Sequence, residues 1–90
     1  MALLSAEIRD FVMKSLAEMD PGLDLGELDD DSTLGPAGAD LDSLVLAELV
    51  VRVEEQYGVK FSSDENEQMP GFTISEFCDL VAAHERAARA

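Results

Sequence analysis

The sequence predicts an all-α fold: a small four-helix bundle of three main helices and one short helix, with a long loop between the first and second helices. Two observations carry this. Three stretches place apolar residues at i, i+3, i+4 and i+7 spacing, and no stretch alternates apolar and polar residues as a half-buried strand does. Gly, Pro and capping residues fall between the periodic stretches, where helices should begin and end. An antiparallel-type bundle is the natural way for three such stripes to be buried together.

The first helix is predicted from about Ser5 to Met19, with Ile8, Phe11, Val12, Leu16 and Met19 on its apolar face. Arg9, Asp10, Lys14 and Glu18 lie mostly on the other. Ser5 is a candidate cap, Glu7 suits the positive end of the helix dipole, and Pro21-Gly22 ends the helix. From about Asp20 to Asp42 the chain has several Gly and Pro, many acids and no Lys or Arg. A loop of that length in a compact domain is uncommon. Leu23, Leu25, Leu28 and Leu34 are expected to pin it to the helices, and it has room for a short helical turn.

The second helix is predicted from Ser43 to Tyr57, with Leu46, Leu49, Val50, Val53 and Tyr57 facing the core. Asp42 is its N-cap, and Gly58 ends it because glycine best tolerates the left-handed backbone that follows a helix. Ser63 to Gln68 is read as one or two turns before Met69-Pro70-Gly71. The last helix starts at Thr73, whose spacing to Glu76 is that of a capping box. Ile74, Phe77, Cys78 and Val81 face inward with Leu80 flanking. The tail from Arg86 to Ala90 is expected to fray, although its arginines suit a helix C-terminus.

The 90 residues fit one domain, taken as 1–90, and 47% hydrophobic composition is enough for a core. A domain of this size buries only about 60–65% of its unfolded surface, so its stability should be modest. Twenty acidic and six basic side chains give a formal charge of −14. That balance argues against binding nucleic acid or an anionic membrane surface, since no basic patch is available to meet phosphates. It fits a partner rich in Lys and Arg, with fast, salt-sensitive association, and it equally fits a charge that keeps the protein soluble. A monomer is expected. With Cys78 as the only cysteine, an internal disulfide is ruled out and a cysteine-based metal site is not expected. Glu7, Arg9 and Asp10 interrupt the N-terminal apolar residues, so no signal peptide is read, and no apolar run approaches the roughly 20 residues that span a bilayer. The expected location is the cytoplasm.

The informative segment is Gly38-Ala39-Asp40-Leu41-Asp42-Ser43-Leu44. With Asp42 as cap, Ser43 is the first helical residue: exposed, on a rigid element, at the edge of a long loop. No neighbouring base activates it, because His84, the only histidine, lies far off in sequence and is read as a surface or helix-end residue. Ser43 therefore makes more sense as the substrate of an external enzyme than as a catalyst, and no catalytic residue is assigned. Asp40 and Asp42 are placed to help such an enzyme orient its metal and substrate. Taken alone, Asp42-Ser43 is also an ordinary helix cap. Asp29-Asp30-Asp31-Ser32 lacks the alternating ligands, central glycine and terminal glutamate of a calcium loop, and no metal site is assigned.

Asp42-Ser43-Leu44, then Glu48-Leu49, then Val53-Glu54-Glu55-Gln56-Tyr57-Gly58-Val59, set in this order of elements, resemble the acyl carrier protein family within the wider group of phosphopantetheine-binding carriers. The resemblance spans nearly the whole chain. It implies that a phosphopantetheinyl transferase, using magnesium and coenzyme A, places 4′-phosphopantetheine on Ser43, with Asp42 and Leu44 flanking the attachment point. It implies a carrier that is not itself an enzyme and that delivers thioester-bound acyl groups to acyl-transfer, condensing or adenylating enzymes of fatty-acid or polyketide-type biosynthesis. In the resembled family the second helix meets basic patches on those partners. Here Leu44, Glu48, Arg52 and Glu55 lie along one edge of it and Ala47, Val51 and Glu54 along the next. A solvated surface with a Glu48–Arg52 pair is the plainer reading of the same face. Cys78 is read as a small core residue and not as the carrier thiol. Three alternatives stay open: an aminoacyl or peptidyl carrier of nonribosomal peptide-type assembly, a helical interaction module without an arm, and a hydrolase using Ser43.

Overall fold

The computed structural model describes residues 5–22, 26, 28–35, 38 and 41–89. Along the chain run α1 (Ser5–Met19), α2 (Ser43–Tyr57), α3 (Ser63–Gln68), a 3-10 turn (Met69–Gly71) and α4 (Ile74–Arg89). The only pairing of β type among the described residues is an isolated antiparallel bridge between Thr33 and Thr73. No helix is long and apolar enough to cross a membrane among these residues.

The helical stripes meet as their spacing requires. Ile8, Val12 and Leu16 of α1, Leu46, Leu49, Val50 and Val53 of α2, and Ile74, Phe77, Cys78, Val81 and Ala82 of α4 are buried in one core. Phe11, Met19, Tyr57 and Leu80 pack against it part-buried. Tyr57 therefore edges the core instead of entering it, and its ring meets that of Phe11 at 5.5 Å and 80°, a favoured edge-to-face geometry.

Local signals set the ends. Asp42 Oδ1 accepts from the Val45 amide at 2.8 Å, and Gly58, at φ 67°, donates its amide to the Glu54 carbonyl. Only glycine holds that backbone without strain. The capping box at α4 is complete: the Glu76 amide donates to Thr73 Oγ1 (3.0 Å) and the Thr73 amide to Glu76 Oε1 (2.9 Å). A second box, which the sequence reading passed over, joins Ser62 and Glu65 at the start of α3. Ser5 is the first residue of α1, and its side chain lies outside what is described. α4 continues through Ala87 and Ala88, strong helix formers, to Arg89.

The long loop is held by its backbone as well as by its leucines. Leu34 is fully buried and Leu28 part-buried; Leu23 and Leu25, and most of any short helical turn, lie outside the described residues. The amides of Leu34 and Gly35 donate to the carbonyls of Phe72 (3.0 Å) and Pro70 (2.9 Å). In return Ile74 and Ser75 donate to Ser32 (2.9 Å) and Asp30 (3.0 Å). The loop thereby satisfies amides at the start of α4 that no helix can satisfy internally. The acidic run serves the same attachment. Asp29 Oδ1 accepts from the Asp31 amide (2.9 Å), and Asp30 pairs with Arg9 of α1 at 2.6 Å.

Candidate functional site

The last stretch of the loop delivers Ser43. Leu41 is buried and its amide donates to the Leu34 carbonyl at 3.1 Å, which anchors the chain one residue before the cap. Gly38 lies so close to the backbone of Thr33 that a Cβ there would stand 2.2 Å from its carbonyl oxygen. Any side chain at 38 would push this approach apart. Ala39 and Asp40 lie outside the described residues.

Ser43 is the first residue of α2 and is exposed. Asp42 takes the Val45 amide with its carboxylate and the Leu46 amide with its carbonyl. The amides of Ser43 and Leu44 stay at the positive end of the helix, a setting that favours a phosphate on the neighbouring hydroxyl. Asp42→Ala is expected to destabilise the fold by about 1 kcal/mol through loss of the cap, measured by urea unfolding.

Ser43 also lines a cleft of about 540 Å³. Leu41, Leu46, Ala47 and Val50 contribute from the α2 side, and Asn66, Met69 and Pro70 from α3 and the 3-10 turn. The lining is mainly apolar and touches the serine itself. An exposed hydroxyl, a helix end suited to phosphate and an adjoining apolar cleft together fit a phosphate-linked arm with an acyl group at its tip.

The other faces of α2 sort into free and engaged residues. Leu44 is 78% exposed and Val51 48%. Ala47, Glu48 and Glu55 are exposed as well. Glu54 is half-buried, and its Oε2 accepts from the Phe61 amide at 3.1 Å, so this acid already has an internal partner. Arg52 reaches Glu18 of α1 at 4.0 Å and not Glu48, one turn away, as the sequence suggested. The fold turns the arginine toward α1, leaving Glu48 on the exposed face.

Two further residues complete the picture. Cys78 is buried, and desolvation pushes its thiol up to about 11, so it is protonated at neutral pH. His84 is not a free surface residue. It is half-buried, its Nε2 lies 3.0 and 2.9 Å from the two carboxylate oxygens of Glu65, and its ring stands edge-on to Phe61 at 5.2 Å. Sequence gave no signal for this pairing, because a lone histidine 19 residues from its partner has no motif.

The fold is a small helical bundle with an exposed serine at the head of a helix and an apolar cleft beside it. A family model described as phosphopantetheine attachment site matches residues 12–81, from within α1 to within α4. The chain belongs to this family, the one to which its acyl carrier resemblance pointed. The family carries covalently attached 4′-phosphopantetheine, and its carriers work with phosphopantetheinyl transferases and biosynthetic enzymes. Comparison with curated proteins gave no match.

Proposed function

We propose that residues 1–90 form a single, non-catalytic acyl carrier domain acting in the cytoplasm. On this reading it bears acyl intermediates as thioesters on a 4′-phosphopantetheine arm at Ser43 and delivers them to enzymes of fatty-acid or polyketide-type biosynthesis. The observation that carries the reading is the exposed Ser43 at the first position of α2, beside an apolar cleft it helps to line. The arm supplies a thiol whose thioesters have a more electrophilic carbonyl and more acidic α-hydrogens than oxygen esters. The protein's own residues supply place and recognition. Ser43 offers the hydroxyl, Asp42 holds the helix end, and Leu41, Leu46 and Val50 offer apolar shelter.

His84 pairs through Nε2 with Glu65 and makes no hydrogen bond to Ser43 among the described residues, so nothing seen here activates the hydroxyl for hydrolysis by the bare chain. The strong acidity favours the acyl over the aminoacyl or peptidyl reading. Incubation with acetyl-coenzyme A, magnesium and a broad-specificity transferase is expected to add one acetyl-pantetheine phosphate per chain, read by intact mass. No gain with several competent transferases would favour an interaction module without an arm.

Leu44, Ala47, Glu48, Val51 and Glu55, with Glu54 at the margin, are proposed as the docking face. Glu48→Lys is expected to slow association with a basic-patched partner several-fold at low salt and to flatten its salt dependence, with helix content intact. Stopped-flow binding across a salt series checks this. Glu54→Lys is the less clean variant, since it also removes the acceptor for the Phe61 amide.

A further inference from the structure

The short helix α3 is an unusual wall for a cleft. None of its six residues, Ser63–Gln68, is buried. A helix this short has little stability of its own and needs tertiary contacts to hold it. Phe61 precedes it and Met69 follows it, both in the core, so its two ends are moored. Between them the side-chain tie is Glu65 to His84 of α4, at 2.9 and 3.0 Å. A carboxylate only accepts, so His84 Nε2 carries the proton and donates. Glu65 has a second duty: its Oε1 accepts from the Ser62 amide at 2.8 Å and closes the capping box. The Ser62 amide first and the His84 side chain second hold its carboxyl below the usual range. One residue further on, Asn66 lines the cleft with Ser43.

We propose that the His84–Glu65 contact is a latch that fixes α3 as the movable wall of the Ser43 cleft and thereby sets how well the cleft shelters apolar cargo. The inference rests on the carrier reading and adds to it a positioning role for a residue on α4. With the contact broken, α3 stays moored at Phe61 and Met69 but is free to swing between them. Cargo long enough to reach the cleft then loses its shelter. Cargo too short to reach it is indifferent.

The test loads wild type, His84→Ala, His84→Gln and Glu65→Gln from acetyl- and octanoyl-coenzyme A with a transferase, and follows cleavage of each thioester by hydroxylamine. Amide exchange of residues 64–69 is followed in the unloaded proteins. Glu65→Gln keeps a residue able to form the capping box, so α3 retains its start. In His84→Ala the octanoyl thioester is expected to be cleaved about threefold faster or more, with the acetyl rate unchanged and exchange in α3 faster by a similar factor. Exchange in α1 and α2 stays as in wild type. His84→Gln, which keeps a donor, recovers part of the effect, and Glu65→Gln shifts it in the same direction as His84→Ala. Loading with an unchanged acetyl-to-octanoyl ratio overturns the latch alone. Failure of every protein to load overturns the carrier reading, and the latch with it.

Discussion

Ser43→Ala is expected to abolish attachment of the arm completely while changing stability by no more than about 0.5 kcal/mol. The two halves of this result have separate physical sources. Attachment requires a hydroxyl oxygen at that position, and alanine has none. Stability is spared because the Ser43 side chain is exposed and the cap of α2 is made by Asp42, one residue earlier. Alanine is also the best helix former, so the first turn should persist. Intact mass after transferase treatment reads the first half, and urea unfolding reads the second. A variant that loses attachment only because it has unfolded would contradict the separation of site from scaffold.

Phe77→Ala is expected to cost about 3–5 kcal/mol. Phe77 is fully buried, and its ring lies 6.0 Å from that of Phe61, the residue that moors the start of α3. A domain of this length has roughly 5–13 kcal/mol in total, so the variant should be partly unfolded under mild conditions. The urea midpoint should fall by more than about 1 M at a typical slope for a small protein. A cost under about 1 kcal/mol would mean that α4 does not pack on the core as described. Because Phe77 supports Phe61, loss of this ring should also loosen the α3 side of the cleft before α1 and α2 separate.

The helices were legible because each announces itself locally. Ile8, Val12 and Leu16 fix the face of α1, Asp42 and Gly58 bracket α2, and the Thr73–Glu76 spacing starts α4. What was not legible is what depends on distant partners. The bonds from Leu34 and Gly35 to Phe72 and Pro70 are made by backbone atoms, which carry no residue signature. Leu41, Val59, Phe61 and Met69 join the core from outside the three main helices, where periodicity says nothing. The Ser62–Glu65 box had a readable spacing, but no apolar stripe follows it to draw attention to a helix. Within the site, the exposure of Ser43 followed from its place after the cap. The choices of Arg52 for Glu18, Glu54 for the Phe61 amide and His84 for Glu65 followed from how the helices pack, and the chain order does not encode them in any short motif.

The most direct test of the account is to map the modification on the wild-type chain. After treatment with coenzyme A, magnesium and a phosphopantetheinyl transferase, fragment-ion mass spectrometry of the digested protein should find one phosphopantetheine, on Ser43 and nowhere else. A modified chain whose arm sits on another serine, or a well-folded chain that competent transferases leave untouched, would contradict it.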